Sequence, residues 1–202
     1  MNVGILNYDA GNIYSVYNLI YNLGFTPKII SNKSEFKNID KLIIPGVGSA
    51  YRCIENLKKN KLFDLLSDNL NSELPILGIC LGLQIFCENL YENGEANGLK
   101  FLKAKVQKIS QHNKFNIGWS KVEFKSNELN SIFINNKDFY FCHSFSIQEL
   151  DKKDQKFLEG HIKFDQKVIP SVIKKENFLG VQFHPEKSQI NGVKFMKYFL
   201  NI

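Results

Sequence analysis

Arginine is nearly missing from this 202-residue chain: Arg52 is the only one among 26 basic residues. Proteins that read nucleic acid lean on arginine forks for bases and phosphates. The lysines are scattered in pairs such as Lys58-Lys59, Lys152-Lys153 and Lys174-Lys175. The net charge of +6 is therefore assigned to solvated faces, and no nucleic acid is expected as a partner. Apolar runs of membrane-spanning length are missing too, so no membrane is expected. The N-terminus, Met-Asn-Val-Gly-Ile-Leu-Asn-Tyr-Asp9, lacks a basic start and reaches an acid too early for a signal peptide, which predicts a cytoplasmic location. Cys-x-x-Cys pairs do not occur among Cys53, Cys80, Cys87 and Cys142. A structural zinc site is not expected, and a reducing compartment suits all four thiols. The phosphate-cradling and dinucleotide-binding glycine fingerprints are likewise missing, so neither metal nor cofactor is predicted. Nothing divides the chain into repeats or linkers, and it is expected to form one domain over 1–202.

What is present begins with Pro75-Ile-Leu-Gly-Ile-Cys80-Leu-Gly-Leu-Gln84-Ile-Phe. It reads as a short buried strand that turns sharply at Cys80 and continues as a helix. Gly78 and Gly82 flank the cysteine at two residues on each side, where a tight turn brings backbones together. The serine form of this elbow presents a nucleophile at the top of an α/β sheet. A thiol at a helix N-terminus is favoured as thiolate. Cys87, seven residues on, is expected to pack two helical turns further along, and Cys53 to pack on a helix face.

A base is supplied by Gly180-Val-Gln-Phe-His184-Pro-Glu186. Leu179 to Phe183 reads as an apolar strand with His184 at its end, the edge where parallel sheets carry their chemistry. In an extended segment Glu186 falls on the same side as His184, and Pro185 keeps His184 extended. A carboxylate on one ring nitrogen frees the other for the thiol proton. His112 reads as a solvated loop residue and His161 lies in an alternating strand pattern; His143, after Phe139-Tyr-Phe-Cys142, lines a pocket or packs. A third element, Lys41-Leu-Ile-Ile-Pro45-Gly46-Val47-Gly48, is a strand ending in a glycine turn whose N–H groups suit an oxyanion.

Strand patterns at Val3–Leu6, Lys28–Ile30, Lys41–Ile44 and Ile76–Ile79 alternate with helix patterns at Asn12–Leu23 and Ala50–Leu70, the second with a possible break near Asn60. This predicts an α/β fold with a mostly parallel central sheet and helices on both faces. From Phe101 onward the chain turns β-rich, and Asn191 to Leu200 closes it as an amphipathic helix.

The Gly78-Ile-Cys-Leu-Gly-Leu-Gln84 elbow and the distant His184-Pro-Glu186 together resemble the class I glutamine amidotransferases. Within that class the resemblance is greatest to the glutaminase subunit of imidazole glycerol phosphate synthase. It includes Asn7-Tyr-Asp-Ala-Gly-Asn12, Pro45-Gly-Val-Gly48, Gly118-Trp119, Tyr140-Phe-Cys-His-Ser144 and Gly180 to Ser188. The resemblance implies that Cys80, His184 and Glu186 hydrolyse L-glutamine through a thioester. It further implies that Leu81 and Gly46, Val47 and Gly48 hold the oxyanion, and that Gln84, His143, Ser144 and Phe145 hold the substrate. The implied partner is a separate (β/α)8 cyclase subunit of a heterodimer, which takes the ammonia in histidine biosynthesis and meets the chain near Asn12, Tyr140 and Lys187. Family members stay nearly inactive until the partner binds its ligand. Tyr14, Phe145 and the segment before Gly118 depart from the family pattern. They leave open a paralogue that supplies ammonia for amidino groups on surface sugars. A stand-alone cysteine hydrolase and a non-catalytic flavodoxin-like binding module are the readings from other classes.

Overall fold

The computed structural model describes residues 1–201 apart from 10, 71, 93 and 111–114; His112 lies outside the described residues. Strand β1 (Asn2–Leu6) leads through helix α1 (Ile13–Asn22) to β2 (Thr26–Ile30) and β3 (Lys41–Gly46). Helices α2 (Ala50–Lys59) and α3 (Leu62–Asn69) then precede β4 (Ile76–Cys80). The break expected near Asn60 is there, with Lys61 at φ 56° between the two helices. After β4 a single turn, α4 (Leu81–Gln84), gives way to β5 (Cys87–Leu90), β6 (Ala96–Asn97) and β7 (Leu102–Lys108). Next come β8 (Asn116–Lys121), β9 (Glu123–Phe124), α5 (Asn127–Ile132), β10 (Asp138–His143) and β11 (Phe145–Leu150). Strands β12 (Leu158–Phe164), β13 (Lys167–Lys175) and β14 (Phe178–Val181) and helix α6 (Gln189–Asn201) finish the chain.

The central sheet has the order β2-β1-β3-β4-β14-β13-β12-β9. Its first five strands run parallel and the last three antiparallel, so the sheet is mixed. Strands β3, β4 and β14 are buried along their whole length, as strands covered on both faces must be. Alternate residues feed two cores. Ile43, Leu77 and Ile79 pack with Val16 and Ile20 of α1 and with Phe195 and Phe199 of α6. Leu42, Ile44 and Ile76 pack with Ile54 and Leu57 of α2 and Leu62 and Leu66 of α3. Two smaller sheets, β10-β8 and β11-β7-β5-β6, carry the β-rich half. The chain passes from the first to the second at His143-Ser144-Phe145.

One expectation fails here. Cys87 does not sit two helical turns beyond Cys80; it opens β5. The run from Leu81 to Cys87 is apolar except for Gln84 and carries no clear period. Backbone pairing decides the outcome: Leu99 donates to the Ile85 carbonyl and Leu102 to that of Phe86, which draws this segment into the second sheet. Cys87 is nevertheless buried, as is Cys53 on α2.

Candidate active site

The nucleophile elbow is built by the two glycines. A Cβ on Gly78 would run into the carbonyl of Gly82, and one on Gly82 into the carbonyl of Ile44. Only bare backbone lets β4 fold over into α4 against β3. Cys80 at the apex has φ 55° and ψ −107°, a left-handed conformation that a residue with a Cβ adopts at a cost of about 1–3 kcal/mol. The surrounding sheet imposes that strain and lifts the side chain to the strand's C-terminal edge. With one helical turn behind it, the elbow offers far less macrodipole than a long helix would.

Cys80 opens on a cavity of about 290 Å³, near the lower end of small-molecule clefts, roughly 300 Å³. Val47, Gly48, Leu81, Gln84, Glu92, Cys142, His143, Ser144 and Phe145 line it together with the cysteine. Every substrate residue expected from the sequence thus faces one space. Gly46 lies opposite Cys80 in the β3–β4 register, and Val47 and Gly48 continue from it to the cavity wall, Gly48 at φ 102°. The Tyr8 hydroxyl, buried beneath this loop, donates to the Pro45 carbonyl at 2.6 Å and fixes where the loop begins.

His184 follows β14. Its backbone N–H donates to the Tyr140 carbonyl at 2.8 Å, and its own carbonyl accepts from the Ser188 hydroxyl at 2.7 Å. Phe183, immediately before it, is stacked on Phe139 with centroids 4.1 Å apart and lies edge-on to Phe195 at 5.1 Å. The imidazole is thereby held by its neighbours on both sides. Its Nδ1 meets Glu186 Oε1 at 2.8 Å. The pairing is as expected, but its local basis differs: Pro185–Lys187 is a turn of 3-10 helix, not extended chain. Proline at the first helical position suits that turn, which swings the carboxylate back toward the ring.

Burial alone would push the His184 imidazole down. Interaction with Cys80 and Glu186, and the negative charge of both, outweigh it and raise the group to about 10. Among the described residues Nε2 has no aligned hydrogen bond. Cys80 Sγ accepts from Gln182 Nε2 at 3.4 Å. His143 behaves oppositely. Burial, reinforced by the charge of His184, pushes it down to about 4 against a backbone hydrogen bond to Phe145. It is neutral at pH 7 and does not compete as the base. His161 lies away from the cavity, against Glu123 at 3.2 Å. Burial pushes the Cys53 thiol up to about 12 and the Cys87 thiol up as well, leaving both inert.

The expected partner-facing residues gather in part. Lys187 lies 5.8 Å from the Tyr140 ring centre, and Trp119 meets Tyr140 edge-on at 6.0 Å. Asn12 is exposed at the N-terminus of α1, and α1 packs against the Pro185–Lys187 turn. Three residues escaped the sequence reading. Gln182 is completely buried beside the sulfur, and the signal for it was a lone amide in an apolar strand. Glu92 turns a half-buried carboxylate into the cavity and accepts from the Ala50 N–H at 2.8 Å. Asn116 is buried against His143 at 3.2 Å. Among the described residues no group of three or more His, Cys, Asp or Glu could hold a metal ion, and no helix is long and apolar enough to cross a membrane.

Known proteins agree with this geometry. A family model described as glutamine amidotransferase class-I matches residues 5–200. The chain is 38% identical to a protein of Methanococcus maripaludis named imidazole glycerol phosphate synthase subunit HisH 2, over 98% of each chain. It is 35% identical to subunit HisH 1 of Campylobacter jejuni, over 99% of this chain and all of that one. Among solved structures, one titled PurLQS from Thermotoga maritima superposes with a TM-score of 0.73 at 18% identity, covering 99% of this chain and 97% of that one. A glutamine amidotransferase superposes with the same TM-score of 0.73 at 17% identity, covering 98% and 97%. With an elbow cysteine, a carboxylate-held histidine and this full-length likeness, the chain belongs to the class I glutamine amidotransferase family.

Proposed function

We propose that this chain is the glutaminase subunit of an imidazole glycerol phosphate synthase, releasing ammonia from L-glutamine for histidine biosynthesis. The full-length identity of 35–38% to proteins named as that subunit carries the reading. The site supplies the chemistry. Cys80 attacks the side-chain amide carbon while its proton rests on His184. The tetrahedral oxyanion takes N–H groups from Leu81, whose amide opens α4 and has no intrahelical partner, and from the Gly46–Gly48 loop. The His184 imidazolium, held by Glu186, hands its proton to the departing nitrogen, and ammonia leaves. The resulting thioester is hydrolysed by water, whose proton returns to His184. Gln84, His143, Ser144 and Phe145 orient the amino acid, and the Glu92 carboxylate faces its α-ammonium.

The ammonia passes to a (β/α)8 cyclase subunit bound over the face that holds Asn12, Tyr140 and Lys187. An apolar patch supports that placement: Ile117 and Trp119, on one side of β8, are 64% and 50% exposed. Function in the cytoplasm follows from that pathway. The deciding experiment co-purifies the chain with the cyclase subunit of its own genome and assays glutamate release with the cyclase ligand bound. Activity that appears on mixing and vanishes in Cys80→Ala is the expected result. Silence with the cyclase but activity with an amidinating partner would move the acceptor to surface sugars. Full activity on esters or peptides without any partner would make the chain a free-standing hydrolase, and no selective labelling of Cys80 at all would make it a binding module.

A further inference from the structure

One buried polar group next to the nucleophile has no part in the chemistry above. Gln182 is fully enclosed at the end of β14. Its Oε1 accepts from Gln84 Nε2 at 3.1 Å, and its Nε2 donates to Cys80 Sγ at 3.4 Å. The direction of this chain of bonds is fixed from its far end. Gln84 Nε2 also donates to the Phe145 carbonyl at 2.8 Å, and a backbone carbonyl can only accept. The Gln84 amide must therefore present its NH2 group to both neighbours. Gln182 must answer with oxygen, which leaves its own NH2 group for the sulfur. Reversing Gln182 would set N–H against N–H, and reversing Gln84 would set its oxygen against two other oxygens, each in a dry interior at the cost of unsatisfied buried groups.

We propose that Gln182 is a positioning residue for the nucleophile: by donating to Cys80 Sγ, its amide fixes where the sulfur sits at the head of the elbow. A donated N–H also favours a negatively charged sulfur, because hydrogen bonds to an ion are the stronger ones. The substrate-orienting Gln84 and the nucleophile are thus joined through one intermediate side chain. The other titratable groups around the sulfur are His184 and Glu186 after β14, His143 at the end of β10, Tyr8 after β1 and Glu92 after β5. None of them occupies the Gln182 position, so replacing that amide leaves them in place.

The test uses the full chain and two variants, Gln182→Met, which removes donor and acceptor, and Gln182→Glu, which turns a carboxylate toward the sulfur. Iodoacetamide labelling is followed against pH, with peptide-resolved mass spectrometry separating Cys80 from the exposed Cys142. The midpoint for Cys80 should rise by about one pH unit in Q182M and further in Q182E, slowing labelling at pH 7 several-fold. In the complex with the cyclase subunit, kcat should fall about tenfold while KM for glutamine moves less than about twofold. Thermal melts report whether Q182M folds; where it does not, Q182E decides alone. An unchanged Cys80 profile in the folded variants, or a change confined to KM, overturns the positioning role and leaves Gln182 as packing. This kinetic arm rests on the glutaminase reading. The labelling arm does not, so a complex without glutaminase activity would sink that reading and leave the role of Gln182 decided by its pH profile.

Discussion

His143 should make the protein lose stability in mild acid by an amount that can be worked from its surroundings. The buried ring meets two partners of opposite kind: Nδ1 lies 3.0 Å from the Phe145 carbonyl, and Nε2 lies 3.2 Å from Asn116 Nδ2. The carbonyl requires an N–H at Nδ1, so Nε2 must accept from the Asn116 amide. That amide is held in turn, because its Oδ1 accepts from the Ser120 hydroxyl at 3.3 Å. Protonating Nε2 would set N–H against N–H, in addition to burying a charge. Burial accordingly leads the causes that push the group from 6.5 to about 4. An unfolded chain takes up this proton at about pH 6.5, whereas the folded one resists until about 4. Between those values the unfolded state binds more protons, so stability is complete above pH 6.5 and falls as pH drops. At 1.36 kcal/mol per unit, the loss is about 3 kcal/mol by pH 4. His143→Gln keeps one donor and one acceptor and does not titrate. Urea unfolding of both proteins at half-unit steps from pH 7 to 4 isolates the residue, since the carboxylates contribute equally to each. The variant should lose about 3 kcal/mol less across the window. Parallel stability curves would refute the enclosed, neutral imidazole.

Glu186→Gln removes the carboxylate that helps hold the His184 imidazolium. NMR titration should show the His184 ring falling from about 10 toward its ordinary value, and an unmoved ring would mean that Cys80 alone sustains the charge. Gly82→Ala places a methyl group against the Ile44 carbonyl, whose backbone cannot yield without moving β3. The melting temperature should drop by the equivalent of at least about 2 kcal/mol, with slower Cys80 labelling in whatever remains folded. Trp119→Ala, at the exposed apolar face of β8, should weaken association with the cyclase subunit by about 1–3 kcal/mol in calorimetry and leave the melting temperature within error.

How much of this could be read from the chain differs from residue to residue. Cys80, His184 and Glu186 were legible because each sits in a short segment whose spacing has local meaning: glycines about a turn, a strand end, a proline. Glu186 was placed correctly through the wrong local geometry, since both extended chain and a 3-10 turn can bring that carboxylate to the ring. The length of α4 was not legible. An apolar run without period obeys whichever neighbour pairs with it, and here the partner is β7, which starts fifteen or so residues on. Gln182 and Glu92 were missed for opposite reasons. The first looked like an irregularity in an apolar strand, and the second like one acid in a polar loop. Only the tertiary structure shows that Gln182 lies against the cysteine sulfur and that Glu92 lines the cavity on which Cys80 opens.

The separation of nucleophile and base is set by the sheet, not by the loops that carry them. Strands β4 and β14 pair in parallel, with Gly180 opposite Gly78 and Val181 opposite Ile79. Continued by one residue, that register brings Gln182 level with Cys80, and two more residues bring His184 above it. A slip of one residue would turn every β14 side chain to the other face. Leu179 and Val181 belong to the core that holds α1 and α6, while Phe178 belongs to the core on the other side. Shifting the strand would exchange those packings, and burying each large apolar side chain contributes about 1.5–3 kcal/mol. The alignment of sulfur, amide and imidazole is therefore protected by several such terms at once. Nearly one hundred intervening residues can vary in loop length without moving the site, provided that the two strands still meet in this register.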